Sequence, residues 1–430
     1  MRPTEIKRLE GELNEFIDSM TADMGRPERR RAMGWYVTGL LLDGERKSIE
    51  PMAGRLVDDR SEIEAMRQRL QECVSISAWS EADLLARLAR KLDSELPDVQ
   101  ALVIDDTGHP KKGKHSVGVA RQYSGTLGRI DNCQVAVSLH LAGESGSGCI
   151  AYRLYLPEEW ATDVDRRRKA GVPEEVGLQP KWEIALQQID AALAAGVRKH
   201  IVLADAAYGD NSAFRSGLVD RGLGYVVGVV GKTMIWPPGS RPRQMAKKRG
   251  RGRPPTRHVD AAHPPVSIEQ LALGLRYRDV RWREGSRGWQ KSRFAAVRVR
   301  TAHRHQNGKP PSDEQWLLCH WPEDSEAPIK YWLAALPATT SIGALVRLAK
   351  LRWRIERDYQ EMKQEIGLDH FEGRTWRGFH HHAALCATAH AFLALQRALF
   401  PPEEDQVDIA HGPALPPAGP APQSRLLSAV

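Results

Sequence analysis

Aspartates follow two short apolar runs in this sequence. Residues 101–104 lead into Asp105 and Asp106, and residues 201–204 lead into Asp205. Such runs predict buried strands, and neighbouring strand ends would bring these acids together. Carboxylates held that close repel unless a cation lies between them, and two carboxylate-bound divalent ions are a common means of cleaving phosphodiesters. A helix N-cap or a turn is the alternative role for either site.

A third acid lies in a segment with helical periodicity at about 352–363. At 100° per residue, Arg352, Glu356, Tyr359 and Lys363 fall within about 60° of one another. One acid, two bases and a tyrosine would therefore share a narrow face. An ordinary Arg–Glu ion pair at i,i+4 spacing is the alternative interpretation of this face.

An apolar stripe lies beside that polar face and predicts how the helix is buried. Glu361 and Glu365 fall on the far side, where we expect them to be solvated. If Glu356 were not the third acid, Glu361 would be the next candidate. The stripe consists of Leu348, Ile355, Met362 and Ile366, which would pack this edge of the helix against the sheet.

The elements that must position these residues form a mixed α/β pattern. Strand-like runs at 132–142 and 148–156 follow the first acid pair, and helices at about 180–195 and 212–221 alternate with strands at 200–205 and 223–230. Strands first, then alternating helix and strand, predict a mixed sheet covered by helices. Strand-like pieces at 293–302 and 315–321 indicate a β-rich insertion, and helices follow at about 341–366 and 380–400. The predicted divisions are a helical N-terminal domain (1–95), a core (96–230), the insertion (231–338), the helical second part of the core (339–400) and a disordered tail (401–430).

The net charge of +8 is concentrated in one segment of the insertion. Eight basic residues and no acidic residue lie between Arg241 and Arg257, and this number equals the whole excess. A basic run rich in Gly and Pro is typical of a loop that contacts a phosphate backbone. A solvated basic linker without a partner is the alternative. In the N-terminal domain, a DNA-binding role would depend on a local patch such as Arg26 and Arg29 to Arg31.

Composition excludes several classes of protein. No run of about 18 apolar residues is present, which excludes a transmembrane helix, and the N-terminus lacks the apolar core of a signal peptide. The 5 cysteines form no CxxC pair, which argues against a disulfide framework or a structural zinc site. We therefore expect a cytosolic, globular protein.

Together these motifs resemble DDE-type insertion-sequence transposases of the group with a Y-R-E-K signature. Arg352, Glu356 and Lys363 match its R-x3-E-x6-K part within R-W-R-I-E. D-D-T-G at 105–108, the basic P-K-K-G-K at 110–114 and L-A-D-A-A-Y-G at 203–209 agree in type and order, as does R-T-W-R-G-F-H at 374–380. The resemblance spans roughly 100–385 and implies an RNase H-like catalytic core: a mixed sheet flanked by helices, with a β-rich insertion and a helical N-terminal domain.

The resemblance implies a role for each matching residue. Asp106, Asp205 and Glu356 would bind two Mg²⁺ ions, for which Mn²⁺ could substitute. Asp106 is the match because the family's acid directly precedes the Thr, although Asp105 stays open as the first ligand; successive strand residues face opposite sides, so only one of them can point in. Arg352 and Lys363 would hold DNA phosphates, and further phosphate contacts are expected from Lys111, Lys112 and Lys114.

The implied function is that of a transposase that cuts at transposon ends and joins the 3′-OH ends to target DNA. Its partners would be double-stranded DNA, as end repeats and target, and a second copy of the chain, in the cytoplasm of a bacterium near the nucleoid. A metal-dependent nuclease without strand transfer and a non-catalytic DNA-binding regulator are the alternatives.

Some positions depart from the family's pattern or carry weaker signals. The signature's Tyr corresponds to Ala349, and Tyr359 on the same helix face could substitute for it. His380 to His382 are consecutive, so on a helix they cannot chelate one ion together, and surface or backbone contacts are expected. Core packing is the expected role for each tryptophan of the insertion, although one could stack on a flipped base. The tryptophans considered are five of the six in the insertion: Trp236, Trp282, Trp289, Trp316 and Trp332.

Overall fold

The computed structural model describes residues 3–125, 127–244, 258–284, 288–302 and 311–399. Most of the basic run, residues 245–257, and the predicted tail at 401–430 lie outside the described residues. Among the described residues, no helix has the length and apolar character needed to cross a membrane.

Helices occupy the N-terminal segment, as the sequence predicts. Ser80 begins the last of them by accepting a hydrogen bond from the Asp83 backbone N–H at 3.1 Å, as an N-cap does. The apolar faces of these helices form one continuous core with the rest of the chain. The helices are α1 (Pro3–Thr21), α2 (Pro27–Leu41), α3 (Ile49–Leu56), α4 (Ile63–Ser75) and α5 (Glu81–Glu95), with a 3-10 turn at Arg60–Glu62.

A mixed sheet follows and forms the centre of the molecule. Its core order is β4-β3-β1-β5-β6, in which β3 is antiparallel to β1 and β4, whereas β5 is parallel to β1 and β6. A short strand, β2, pairs with the start of β3 and forms a hairpin with it. The strands are β1 (Val99–Pro110), β2 (Ala120–Ser124), β3 (Arg129–Gly143), β4 (Ser147–Leu154), β5 (Ile201–Ala204) and β6 (Tyr225–Val229).

Five helices connect the later strands of this core. α8 (Lys181–Ala194) and α10 (Ser212–Asp220) fall where the sequence predicts helices. The short helices α6 (Glu158–Ala161), α7 (Val164–Ala170) and α9 (Ala206–Gly209) were not predicted, because four to seven residues carry too little periodicity to detect.

The β-rich insertion continues the core sheet. β14 pairs antiparallel with β6, and β13 and β12 follow outwards, so the described strands form one sheet of 12. Its strands are β7 (Met234–Trp236), β10 (Val266–Ser267), β11 (Arg278–Arg283), β12 (Trp289–Thr301), β13 (Gln315–Trp321) and β14 (Lys330–Ala335), with helix α11 (Ile268–Leu273) and a separate two-stranded ladder of β8 (Arg243–Gln244) and β9 (His258–Val259).

The predicted helix at 341–366 is divided in two. α12 (Ile342–Leu351) ends and α13 (Trp353–Gln364) begins at Arg352. The predicted apolar stripe is confirmed, because Leu348, Ile355, Met362 and Ile366 are all buried. A 3-10 turn at Leu368–His370 and the long helix α14 (Trp376–Leu399) are the last elements of the described residues. The fold class is therefore confirmed: a mixed α/β sheet flanked by helices, with a β-rich insertion and N-terminal helices.

The three consecutive histidines of α14 connect the N-terminal helices to the core. The expectation of surface contacts is wrong, because burial leaves each of them at most 5% exposed and lowers the pKa of each to about 4. The alternative expectation, backbone contacts, is confirmed. The nitrogens of His381 lie 3.0 Å from the carbonyl oxygens of Val74 and Trp79. His382 lies 2.9 Å from the Tyr36 hydroxyl, and His380 accepts from the Leu154 backbone N–H at 3.2 Å.

The five tryptophans of the insertion considered above divide into two groups. Trp236, Trp282 and Trp332 are buried, which agrees with the predicted packing role. Trp289 is 66% exposed at the start of β12, and the Trp316 indole donates to the Pro337 carbonyl at 3.0 Å. Core packing therefore does not describe Trp289.

Candidate active site

Asp105 and Asp205 lie side by side on neighbouring strands. The parallel register of β1 and β5 pairs Ile104 with Ala204, so the next residue of each strand is one of the two aspartates. Asp205 also serves as the N-cap of α9, because its Oδ1 accepts from the backbone N–H of Ala207 at 2.9 Å. The N-cap alternative raised by the sequence is thus correct for Asp205, and the cap fixes this carboxylate beside β1.

Arg352 bridges two carboxylates at this point of the sheet. Its guanidinium donates to Asp105 Oδ2 at 2.5 Å and to Glu356 Oε1 at 2.8 Å. Burial alone would lower the pKa of Arg352, but Asp105, Glu356 and Asp205 together raise it. The i,i+4 pair that the sequence offered as an alternative is present, and it extends to the acids of the sheet.

The two aspartates of the sheet are electrostatically strained. Burial raises the pKa of Asp105 to about 7, with further contributions from Asp205 and Asp106 and against the opposing effect of Arg352. Burial also raises the pKa of Asp205, again against Arg352 and with Asp106. One guanidinium therefore does not compensate this group of acids, and an added cation would stabilise their charged forms.

Asp105 and Asp106 have different partners because strand residues alternate between faces. Asp105 pairs in register with Ser138, whose hydroxyl lies 2.7 Å from the Tyr359 hydroxyl of α13. Asp106 instead forms an ion pair with Lys181, the first residue of α8. The structure thus brings Asp105, and not Asp106, into contact with the helix that carries Glu356.

Glu356 is the most accessible acid of this group. Its side chain is 65% exposed, while that of Arg352 is 25% exposed. Among the described residues, no group of three or more His, Cys, Asp or Glu side chains is arranged to hold a metal ion. The donor types nevertheless suit Mg²⁺, which prefers carboxylate oxygens, and Arg352 already bridges two of these carboxylates. The residues therefore fit a divalent cation by their chemistry.

Two of the lysines predicted to bind phosphate point inwards. The Lys363 amine donates to the Gly108 carbonyl at 2.7 Å and lies 3.7 Å from Asp369. The Lys111 amine donates to the Phe371 carbonyl at 2.8 Å. Burial lowers the pKa of both lysines. Their predicted phosphate contacts stay predictions, whereas Lys112 and Lys114 are exposed.

Sequence reasoning missed the residues that hold these lysines in place. Asp369 contacts both Lys363 and His109, and the other nitrogen of His109 lies 2.6 Å from the Tyr152 hydroxyl. Lys181, the partner of Asp106, was also missed. Asp369 lies only six positions from Lys363, but the contacts of His109 with Asp369 and Tyr152 and of Lys181 with Asp106 join residues at least 43 positions apart, so no local pattern indicates them.

Two expectations for α13 are wrong. Glu361 is not solvated: its side chain is 13% exposed and pairs with Arg397 at 2.6 Å and Arg357 at 2.9 Å. Because Glu361 is held in these ion pairs on the other side of α13, it is not a candidate to replace Glu356 as the third acid. Tyr359 is buried against Ser138, so it does not offer its hydroxyl to a DNA phosphate in place of the signature Tyr.

Comparison with known proteins identifies the family. Residues 19–289 match a family model described as DDE superfamily endonuclease, which is more than half of the chain. The chain belongs to this family. The matched residues include Asp105, Asp106 and Asp205, whereas Glu356 and Arg352 lie beyond them.

A curated relative agrees with the family match. A probable transposase for insertion sequence element IS701 from Microchaete diplosiphon is 33% identical to this chain over 129 residues. The match covers 30% of this chain and 31% of that protein. The chain thus spans about a third of the length of this curated relative.

Proposed function

We propose that this DDE-family endonuclease is a DNA transposase that cuts at transposon ends and joins the freed 3′-OH ends to target DNA. The observation that carries the proposal is the cluster of Asp105, Asp205 and Glu356 around the single guanidinium of Arg352. The cluster lies where β5 ends beside the middle of β1, which continues past Asp105 to Pro110, and its two aspartates have raised pKa values. Acids in this state are typical of functional sites.

Asp105, Asp205 and Glu356 are the residues that would hold two Mg²⁺ ions, or Mn²⁺ in their place. We favour Asp105 over Asp106, the residue indicated by the family motif, because Asp105 shares Arg352 with Glu356 while Asp106 pairs with Lys181. When bound, such ions polarise the phosphate and lower the pKa of the attacking water.

The chain's other residues have supporting roles in this proposal. Arg352 holds Asp105 and Glu356 in one place, and Asp205 is kept in position by its capping of α9. Lys363 links α13 to the end of β1 through the Gly108 carbonyl, and Lys111 holds the adjoining loop. The exposed Lys112 and Lys114 of that loop are the phosphate contacts that this arrangement offers to DNA.

The proposed partners are the DNA end repeats, the target DNA and a second copy of the chain. Two ends must be cut together before they are joined, which favours a homodimer on DNA. The similarity to the probable IS701 transposase supports an insertion-sequence origin. A location in the bacterial cytoplasm, near the nucleoid, is part of the same proposal because the substrate would be chromosomal DNA. A nuclease without strand transfer and a non-catalytic regulator are the rival functions.

The test uses duplex DNA from both flanks of the gene, incubated with Mg²⁺ and with wild type, Glu356→Gln or Glu365→Gln. Glu365 is exposed and ends the same helix, so it controls for the loss of one negative charge on α13. We expect end-specific 3′-OH formation and joining by wild type and Glu365→Gln, and neither by Glu356→Gln. Cutting without joining would favour the nuclease, and binding without cutting would favour the regulator.

A further inference from the structure

The β2–β3 hairpin presents large apolar side chains to solvent. Tyr123 is 62% exposed, Ile130 is 61% exposed, and Leu127 in the turn between them is 39% exposed. Tyr123 and Ile130 pair directly across the two strands. Three exposed apolar side chains at one protruding tip are typical of a surface that contacts a partner.

The hairpin face with Tyr123 and Ile130 is continuous with the face that bears Asp105. The β3 register runs without a bulge from Ile130 to Ser138, so these two residues, eight apart, lie on the same side of the sheet. Ser138 is the register partner of Asp105. The separation along β3 is about 26 Å at roughly 3.3 Å per residue.

The base of the hairpin holds the loop of residues 111–114, here called the lysine loop, on the face of the sheet that bears Ile130 and Asp105. Asn132, which pairs with Arg121 across the strands, donates through its side chain to the carbonyl oxygens of Lys111 at 2.5 Å and Gly113 at 2.9 Å. The Gln122 side chain closes the other face by donating to the Cys133 carbonyl at 2.9 Å. Side-chain hydrogen bonds therefore fix the base of the hairpin that carries Tyr123, Leu127 and Ile130.

The charge around the tip favours an anionic partner. Arg121 shares the face of Tyr123, and the exposed Lys112 and Lys114 lie in the loop that Asn132 holds. The nearest acid of the hairpin, Asp131, accepts from Arg129 at 2.9 and 3.0 Å. Apolar side chains flanked by cations are the combination that minor-groove proteins use to separate base steps.

We propose that the β2–β3 hairpin is a wedge that inserts Tyr123, Ile130 and Leu127 into the DNA and unstacks it at a fixed distance from the cut. Arg121 and the lysine loop bind the adjoining phosphates. The distance of about 26 Å corresponds to about seven to eight base pairs at roughly 3.4 Å each. The inference rests on the proposed function, since it takes the DNA at the acid cluster as its substrate.

The test measures base unstacking in flank DNA that carries 2-aminopurine at successive positions. It compares full-length Glu356→Gln protein, which is not expected to cut, with the same protein carrying Tyr123→Ser and Ile130→Ser. Val219→Ser is the control, because Val219 is 54% exposed on α10, away from the hairpin. We expect a fluorescence increase about seven to eight base pairs from the cut site that the double variant loses, with affinity about tenfold weaker.

Two further measurements separate the wedge from its rivals. Arg121→Gln should reduce the slope of log affinity against log salt by about one, while Tyr123→Ser with Ile130→Ser should leave that slope unchanged. The rival is that a second copy of the chain binds to the hairpin tip. Sedimentation tests it by comparing the oligomeric state of the double variant with that of wild type. Loss of a wild-type dimer with unstacking unchanged would overturn the wedge, as would unstacking and affinity that do not respond to the double variant.

Failure of this inference can be distinguished from failure of the proposed function. Wild type that cuts and joins with no unstacking signal at any position would overturn the wedge alone. Unstacking that depends on the tip, in a wild type that never cuts, would support the wedge and overturn the transposase proposal.

Discussion

Two clusters of acidic residues each include a residue of α13, and the pKa values of their buried acids are shifted in opposite directions. The front cluster joins Glu356 to Asp105 and Asp205 through Arg352, and the pKa values of both aspartates are raised. The rear cluster contains Asp358 and Glu361, and the pKa values of both of these acids are lowered. Burial raises the pKa in all four cases, so the difference lies in the partners.

The carboxylates of the rear cluster have enough hydrogen-bonding and cationic partners to stabilise their charged forms, whereas the carboxylates of the front cluster do not. Asp358 lies 2.6 Å from His140 and accepts from Ser147 at 2.6 Å, while Glu361 is paired with Arg397 and Arg357. At the front, the Arg352 guanidinium contacts Asp105 and Glu356, and it lowers the pKa of Asp205 only by its charge, against the larger effect of burial. A cluster that is already neutralised stabilises the fold, whereas one left with excess negative charge is suited to bind a cation.

The largest expected effect separates the two aspartates of β1. Asp105→Asn should reduce cutting by at least about a thousandfold, or about 4 kcal/mol in transition-state free energy, because it removes a carboxylate of the front cluster. Asp106→Asn, which only releases Lys181, should retain cutting to within about tenfold. Single-turnover cleavage with Mg²⁺ measures both variants, and the reverse order would make Asp106 the ligand.

The next effect tests the rear cluster by folding stability. Asp358→Ala should lower the free energy of unfolding by about 3–5 kcal/mol, because His140 and Ser147 lose a buried partner. Asp165→Ala serves as the control, since the Asp165 side chain is 90% exposed in its pair with Arg168. Urea denaturation measures both variants, and equal small losses would contradict a structural role for the rear cluster.

A smaller effect should depend on pH. The lowered pKa of Glu361 means that its carboxylate contributes stability above its unfolded pKa, near 4.3, which is lost as the pH falls towards the folded value. Glu361→Gln should therefore cost about 1–2 kcal/mol at pH 7 and progressively less below about pH 4. Denaturation of both proteins across this range tests the sign, and a cost independent of pH would contradict it.

The smallest expected effect is an increase in the free energy of unfolding, opposite in sign to the effect of Glu361→Gln. Because the pKa of Asp205 is raised, its charge costs stability once the pH exceeds the unfolded value. Asn is an equally good N-cap, so Asp205→Asn should raise the free energy of unfolding by up to about 1 kcal/mol at pH 7 without divalent ions, while abolishing cutting. Marked destabilisation would show that the front cluster is not strained.

The sequence predicts the strands and the face of α13 well because these depend on local periodicity. The helix at 180–195, the strand at 315–321 and the buried stripe that includes Ile355 are all found in the structure. Alternation also predicts that Asp105 and Asp106 point apart. Whether Asp105 or Asp106 faces α13 depends on which side of the sheet that helix packs against, and the residues around the two aspartates do not indicate that side.

Side chains whose role is decided by distant partners were the ones predicted incorrectly or missed. The contact of Lys363 with the Gly108 carbonyl, 255 positions away in the chain, was missed, and its predicted phosphate contact stays a prediction. Glu361 is on the side of α13 opposite the acids, but α14 covers that side with Arg397. The break at Arg352 was also missed, because the apolar stripe continues through it.

The hydrogen-bonded ladder between β6 and β14 has a mechanical consequence. Five consecutive residue pairs, from Tyr331 with Val229 to Ala335 with Tyr225, join the insertion to the sheet that carries Asp205. If only the polypeptide chain joined them, the insertion could rotate relative to the core sheet. The hydrogen bonds between β6 and β14 restrict that rotation. If the proposed function holds, the insertion and the sheet should therefore stay in one relative position throughout the reaction, and any change in the path of the DNA between them should come from the DNA itself.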